Sequence, residues 1–583
     1  MGTISDKLMR IINTKEDIRQ ALISKGYDVP TSIPFKEYAK MILDLPCKAD
    51  SFPDIEGIVA RYSASGITNE QMAANPVWVD KTGNGHDLQL KNFSWKGMSG
   101  VGGYVQDFNY FKNNATVDKI RIDEQGSNFI KVTILTTGIG NAIYILKNIY
   151  QFNKSYFIKI SSEGYDEGDM ALSFYAPSTS TATTVTVSLN PNGVTEIPAI
   201  KEDDFLAVYI NVSGKVGSFT VEQLPLYPGA LVFDGVDDRG TCDNFPILTK
   251  EKGYTVVVLR QWDQDFLNTT LTGGLLSTRN YSTGEGVTFE KIESSNKGYW
   301  NLGAGGIIDF AKSPFTWQTS KQYNNVGILK GDKNHGKPLC VGSGLSGGQQ
   351  CGRFAIWELV FLDHDATEEE LTKIKDYFVK TYPWLFPDQA WTVVGKTNED
   401  EDRATIANIT GNGNDLVCLN LGFIEGSGYN EEGEYAGYLV TDGVDDKITS
   451  STFEMGNDWT VIGDWELINT GKNDNAGIVK FDSIVIYNYN PILINIKNGR
   501  NNLIPDQNTV NAICSDGRIY SKDWKESIYN EETESTSKNL LTIGYSGNIY
   551  TKIAFKNLAI YPTVLSKEDC IKAYNYLQTL KAK

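Results

Sequence analysis

Histidine and cysteine are scarce in this sequence and do not form the patterns that bind metals. The 583 residues include three histidines and seven cysteines, and the cysteines are scattered and contain no C-x-x-C pair. A zinc site and a disulfide framework are therefore both weakly supported. Cys340 and Cys351 could meet across a hairpin, but a reduced, half-buried pair is the commoner arrangement.

Long apolar runs and an excess of positive charge are also missing. No stretch approaches the length of a membrane span, and Asp6, Lys7 and Arg10 interrupt the apolar residues that follow Met1. The net charge of −18 argues against nucleic acid or an anionic membrane as the main partner, because binding phosphate needs a basic face. We expect no nucleic-acid partner, no membrane insertion and synthesis in a reducing cytoplasm.

Catalytic signatures are weak. One Gly-x-Ser-x-Gly match, at 344–348, lies in the glycine-rich run 342–348 and is followed by Gln349 and Gln350. A nucleophile elbow needs a strand before its serine and a helix after it, whereas this run is typical of a flexible loop between strands. We therefore predict that the protein is not an enzyme.

The most informative feature present is an internal repeat. Thr82-Gly-Asn-Gly-His-Asp-Leu88 recurs as Thr410-Gly-Asn-Gly-Asn-Asp-Leu416, and Gly229-Ala-Leu-Val-Phe-Asp-Gly-Val-Asp-Asp238 recurs as Gly437-Tyr-Leu-Val-Thr-Asp-Gly-Val-Asp-Asp446. The two motifs lie about 120 residues farther apart in the first copy, which is the size of a domain. The sequence thus predicts two related modules, with a further domain inserted into the first.

A third repeated feature ends each copy. A strand-like run at 355–361 precedes the capping-box pattern at 367–370, and a run at 554–560 precedes a similar pattern at 566–569. The helix that should follow carries an apolar stripe in each copy, which indicates core packing. The stripes are Leu371, Ile374 and Phe378 in one copy and Cys570, Tyr574 and Leu577 in the other.

The fold class that follows is mainly β, with tandem β-sandwiches, an inserted β-sandwich domain and a short helical N-terminal segment. Runs at 129–135, 155–160 and 183–188 predict strands in the inserted segment. We place the domains at 1–50, at 51–104 together with 228–387, at 105–227 and at 388–583.

The first 50 residues carry a helical apolar face. It is predicted to pack either on the first sandwich or against other chains, where it would serve anchoring and oligomerisation. The residues of this face are Leu8, Ile11, Ile12, Ile18 and Leu22.

These motifs carry a family resemblance. The Asp-Gly-Val-Asp-Asp turn, the Thr-Gly-Asn-Gly-x-Asp-Leu opening and the final strand with its capped helix resemble the concanavalin-A-like lectin/glucanase superfamily in its laminin-G-like branch. The resemblance implies jelly-roll sandwiches over roughly two thirds of the chain. Glucanases of this fold place acidic residues on one strand as Glu-x-Asp-x-Glu, a pattern that the sequence lacks.

The N-terminal residues resemble the short leader segments of bacteriophage fibre and other virion-surface proteins. The residues that carry this likeness are Lys7-Leu8, Thr14-Lys15, Ile18, Ala21, Lys25-Gly26 and Phe35-x-x-Tyr38-Ala39. It implies a virion-surface protein assembled in the bacterial host cytoplasm, with other virion proteins as partners and a homo-oligomer, a trimer being the expected state. A carbohydrate-binding adhesin that is not part of a virion and a relative of glycoside hydrolases are the alternatives.

Two groups of residues are candidates for ligand binding. Aromatic side chains in predicted loops could stack on the sugar rings of cell-surface glycans, although most aromatic residues in sandwiches are core. These candidates are Trp95, Tyr104, Trp262, Trp300 and Trp317.

The repeated acidic turns are the second group. They could bind calcium, which would be the protein's one cofactor, or they could be turns in which aspartates accept backbone hydrogen bonds; the turn is the commoner arrangement. The carboxylates are Asp234, Asp237 and Asp238 in one copy and Asp442, Asp445 and Asp446 in the other.

Overall fold

The fold is that of a computed structural model, which places part of the chain. It describes residues 52–151, 154–175, 185–200, 205–249, 251–267, 269–278, 288–292, 297–300, 307–309, 326–330, 338–345, 349–431, 433, 435–468, 477–481, 484–487, 493–496, 500–503, 510–521, 524–528, 539–546 and 549–582. The N-terminal face of Leu8, Ile11, Ile12, Ile18 and Leu22 lies outside these residues, as does Trp317.

The first sandwich packs two sheets around one core. The run Thr-Val-Val-Val-Leu-Arg-Gln-Trp forms the strand Thr255–Trp262, which is buried along its whole length because its β-branched residues face packed layers on both sides. One sheet orders the strands Val326–Lys330, Thr255–Trp262, Arg353–Leu362, Leu231–Asp234 and Gly100–Val101, with Ile58–Ser63 also paired to Arg353–Leu362. The other contains Val77–Trp78, Leu88–Lys91, Arg239–Cys242, Leu339–Val341, Gly273–Ser277, Thr288–Ile292, Lys297–Trp300, Ile307–Asp309, Ser343–Leu345 and Gln349–Cys351.

The glycine-rich run after position 342 differs from the expected flexible loop. Ser343–Leu345 is a strand that pairs antiparallel with Gln349–Cys351. Glycine allows Ser343–Leu345 to lie close to the strand Gly273–Ser277, since a Cβ at Gly274 would clash with the backbone of Gly344. Cys340 and Cys351 are both buried on strands that pair with Gly273–Ser277, and neither forms a disulfide in the described part of the chain.

The inserted segment forms a second pair of antiparallel sheets with its own core. One sheet orders Val185–Leu189, Met170–Tyr175, Ala207–Val212, Asn141–Leu146 and Lys112–Asn113. The other orders Val194–Ile197, Tyr156–Glu163, Gly217–Gln223, Phe129–Ile134 and Ile120–Gln125. The three strands that the sequence predicted here are confirmed, and each contributes apolar residues to one buried cluster.

The C-terminal sandwich repeats the plan of the first. One sheet contains Gly428–Tyr429, Leu439–Val440, Ile553–Tyr561, Thr460–Leu467, Val510–Cys514, Arg518–Ser521, Glu526–Ile528 and Gln389–Thr392. The other contains Thr405–Ile406, Leu416–Leu419, Lys447–Phe453, Asn539–Ile543, Gly477–Phe481, Ile484–Tyr487, Leu493–Ile496 and Arg500–Leu503, and Tyr545–Ser546 pairs with Ile549–Tyr550. The protein is therefore mainly β with several packed sandwiches, as predicted, while the exact domain boundaries stay a prediction.

Helices are few and short in the described residues. The predicted capping box at Thr367 and Glu370 begins the helix Glu368–Thr381, and Ser566 caps Lys567–Gln578. Both predicted apolar stripes are buried. The remaining helices are Asn69–Ala74, Gln264–Leu267 and the 3₁₀ turns Phe108–Tyr110 and Pro383–Leu385. Across the described residues, no helix has the length and apolar character needed to span a membrane.

The C-terminal helix joins the three sandwiches. Tyr574 packs edge-on against Phe157 of the inserted domain at 5.4 Å between ring centroids, and Tyr576 packs against Trp357 of the first sandwich at 6.4 Å. Beside it, the Lys556 ammonium lies 3.9 Å from Glu196 Oε1. These contacts join the inserted domain to the C-terminal sandwich, and the C-terminal helix to the first sandwich.

Candidate functional site

Each repeated sandwich carries a loop with an aromatic residue in a left-handed conformation. These aromatic loops are residues 92–100 and 420–428, and their offset of 328 equals that of the opening motif. Trp95 has φ of 56° and Phe423 has φ of 52°, which is unusual for a bulky side chain. Such conformations persist only where the surrounding structure holds them, and they cluster at functional sites.

A buried aspartate holds the first aromatic loop. Asp238 is wholly buried, and its Oδ2 accepts a hydrogen bond from the Asp234 backbone N–H at 3.0 Å. Its Oδ1 accepts from Ser99 Oγ at 2.9 Å, and Ser99 Oγ accepts from the Ser94 N–H at 2.8 Å. The acidic turn is thereby tied to both ends of the loop.

The second loop is held in the same way. Asp446 Oδ2 accepts from the Asp442 N–H and from Ser427 Oγ, each at 2.8 Å. Ser427 Oγ accepts in turn from the Gly422 N–H at 2.8 Å. Two copies with little sequence identity in the loop therefore retain one hydrogen-bond network.

A cleft of about 590 Å³ opens beside the first aromatic loop, between the first sandwich and the inserted domain. Its walls combine two tyrosine rings with amide and charged side chains, which is the composition that sugar rings require. The lining residues are Ser94, Lys96, Gly97, Met98, Tyr104, Val105, Asp107, Tyr110, Asn148, Ile149, Gln151 and Lys154.

Hydrogen bonds of a buried glutamine join two of the chain segments that line this cleft. The Gln106 side chain is buried, and it donates from Nε2 to the Gln151 carbonyl at 2.8 Å while its Oε1 accepts from the Gln151 N–H at 3.1 Å. The Gln106 backbone N–H donates to Gln223 Oε1 at 2.8 Å. The two chain segments that line the cleft are therefore joined directly.

The charges at the cleft are two lysines and one carboxylate. Lys96 Nζ lies 3.3 Å from Asp107 Oδ2 and 5.8 Å from the centre of the Tyr110 ring. Lys154 Nζ lies 3.9 Å from Asp265 Oδ2, which is a weak exposed pair. The cleft thus has a local excess of positive charge in an acidic protein.

Tyr104, which the sequence suggested as a sugar-binding residue, lines this cleft. Its ring is half-buried, and burial, together with the nearby carboxylates of Glu222 and Glu70, raises the pKa of Tyr104 to about 12. The hydroxyl therefore stays protonated near neutral pH and is available as a hydrogen-bond donor.

The other aromatic candidates have different surroundings. Trp95 is half-buried, and its ring stacks on Phe93 at 4.8 Å, next to the cleft wall. The choice of Trp262 needs correction, because its ring is wholly buried against Phe266 and Phe354 and has no face open to a sugar. Trp300 lies in the strand Lys297–Trp300.

Sequence reasoning missed Tyr110, Asn148 and Gln151. They belong to the inserted domain, and only the packing of that domain brings them beside Tyr104. The repeat at the aromatic loops was a signal that could have been found, since Asn92 and Ser99-Gly100 recur as Asn420 and Ser427-Gly428 at the offset of 328.

The acidic turns bring their carboxylates together. In each copy, one oxygen from each of the three aspartates lies within 4.8 Å of the others. Asp234 Oδ1 also accepts from the Val236 N–H at 2.7 Å, and Asp442 Oδ1 from the Val444 N–H at 2.7 Å, as expected for turns. Burial raises the pKa of Asp238 to about 7, so a cation there would have to offset the cost of ionising it. Calcium binding by these aspartates stays a prediction, and a purely structural turn is its alternative.

A second cleft, of about 700 Å³, lies between the inserted domain and the C-terminal sandwich. The rings of Phe157, Trp524 and Tyr574 that border it are all buried. It offers less aromatic surface to a sugar than the first cleft, where Tyr110 is 43% exposed.

No protein-family profile and no curated protein sequence matches this chain. Among solved structures, the botulinum neurotoxin serotype D binding domain is 10% identical with a TM-score of 0.23, over 56% of this chain and 87% of that chain. Trypanosoma rangeli sialidase in complex with sialic acid is 7% identical with a TM-score of 0.24, over 77% of this chain and 82% of that chain. Likenesses of this size carry no argument about the function of this chain.

Proposed function

We propose that the chain is a bacteriophage virion protein, either a head or tail fibre or a capsid decoration, that attaches to host-surface glycans through the cleft beside the first aromatic loop. In this proposal the protein is a binding protein and performs no catalytic step. It assembles in the bacterial host cytoplasm as a homo-oligomer through its first 50 residues, contacts other virion proteins and is displayed on the virion surface.

The cleft carries the glycan part of this proposal. Tyr104 and Tyr110 provide aromatic surface, while Asn148 and Gln151 provide amides that can pair with sugar hydroxyls. The virion part rests on the resemblance of the N-terminal residues to fibre leader segments.

Replacement of Tyr110 by alanine should weaken glycan binding by about tenfold, because the most exposed aromatic surface of the cleft would be lost. The measurement is retention of the full-length protein on an immobilised panel of purified bacterial capsular polysaccharides and lipopolysaccharide O-antigens.

Tyr175→Ala is the matched control. Tyr175 is 47% exposed, close to the 43% of Tyr110, and it belongs to the same inserted domain but lies outside the cleft. Wild type and Tyr175→Ala should be retained alike. Failure of the wild type to bind any polysaccharide, or equal retention of Tyr110→Ala, would contradict the proposal.

A further inference from the structure

We propose that Ser99 is a positioning residue of the glycan cleft: its hydroxyl connects the buried Asp238 carboxylate to the loop that forms one wall of the cleft. This inference rests on the proposed function. It adds a residue that lies outside the cleft lining and that acts through the residues it holds.

The connection consists of short hydrogen bonds in a site closed to water. Ser99 is 4% exposed, and its Oγ donates to Asp238 Oδ1 at 2.9 Å and accepts from the Ser94 N–H at 2.8 Å. Hydrogen bonds gain strength where water is excluded. Ser99 therefore fixes the distance between the acidic turn and the loop.

The loop that is held in this way forms the cleft wall. Lys96 and Ser99 exchange backbone hydrogen bonds of 2.9 and 3.1 Å, which close the loop, and Ser94 Oγ donates to the Lys96 carbonyl at 3.1 Å. The Gly97 carbonyl accepts from the Tyr104 N–H at 2.8 Å. Displacement of the loop would thus move both Lys96 and the tyrosine that faces the ligand.

The second sandwich contains the same network, and its loop does not line the first cleft. Ser427 Oγ makes the corresponding bonds to Asp446 and Gly422, and Ile424 and Ser427 exchange backbone bonds of 3.1 and 3.0 Å. The inserted domain packs beside the first loop, and the first cleft includes no residue of the second loop. Ser427 is therefore a control with the same structural role as Ser99.

The test compares full-length Ser99→Ala and Ser427→Ala on the capsular polysaccharide and O-antigen panel. Ser99→Ala should lower retention by about tenfold, because the wall loses its attachment, while Ser427→Ala should bind like wild type. Ser99→Thr keeps the hydroxyl and should restore binding. Equal retention by both alanine variants, or equal loss in both, would overturn the role of Ser99.

Hydrogen–deuterium exchange separates this inference from the proposed function. Ser99→Ala should accelerate exchange of amides in residues 94–104, and Ser427→Ala should do so in residues 422–429. If the wild type binds no polysaccharide, the proposed function fails, whereas unchanged exchange at 94–104 in Ser99→Ala would overturn the positioning role by itself.

Discussion

Single residues distinguish the two repeated sandwiches even where their backbones agree. In the first, Arg61 Nε lies 3.2 Å from Glu358 Oε2 inside the core, and Tyr382 donates to Glu358 Oε1 at 2.8 Å. In the first copy, Ser63 pairs with Glu358 across the sheet. In the second copy, Thr392 pairs with Asn557 at the equivalent place, so Asn557 is the counterpart of Glu358. The second sandwich therefore reaches the same fold with an uncharged side chain at this position.

Replacement of Glu358 by glutamine should destabilise the first sandwich by about 3 kcal/mol, because it removes the carboxylate that contacts the buried Arg61 guanidinium at 3.2 Å. Urea unfolding followed by tryptophan fluorescence measures the loss. The double variant Arg61→Met with Glu358→Gln removes both charges and should lose less stability than Glu358→Gln alone. A double variant that is less stable than the single one would refute this explanation.

At the scale of elements, helix starts and strands were predictable because their signals are local. The capping residues Thr367 and Ser566 and the apolar stripes that follow them determine the two longest helices of the described residues. The left-handed backbone of the aromatic loops was not predictable, because the loops are held by bonds to distant aspartates.

His364, just before the helix Glu368–Thr381, should make the free energy of unfolding depend on pH. Burial lowers the pKa of His364, but hydrogen bonds to Asp363 and Glu370 outweigh it and raise the pKa above 6.5. A raised pKa means that the folded state holds the proton more tightly. The stabilisation should be complete below pH 6.5 and should disappear as the pH rises through the raised pKa.

The variant His364→Asn tests this dependence through melting temperatures measured between pH 5 and 9. The melting temperature of the wild type should exceed that of the variant at low pH, and the two melting temperatures should converge as the pH rises. Thr563 occupies the equivalent place in the second sandwich, where its carbonyl accepts from Thr460 as that of His364 accepts from Thr255. A constant difference across the whole pH range would show that His364 acts without titrating.

At the scale of the whole molecule, the cleft exists because an inserted domain packs beside a repeated module. The sequence indicated the insertion through the unequal spacing of its repeated motifs, yet no local pattern pairs residues 94–110 with residues 148–154. The hydrogen bonds between Gln106 and Gln151 join these two segments in the folded chain. The proposed glycan site is therefore a property of the assembled domains.

The most direct measurement is hydrogen–deuterium exchange of the full-length protein with and without the polysaccharide that the panel retains most strongly. Binding at the cleft predicts protection of residues 94–110 and 148–151, with no change in the aromatic loop at 420–428. Protection confined to other segments, or its absence when the polysaccharide is bound, would contradict the assignment of the cleft as the glycan site.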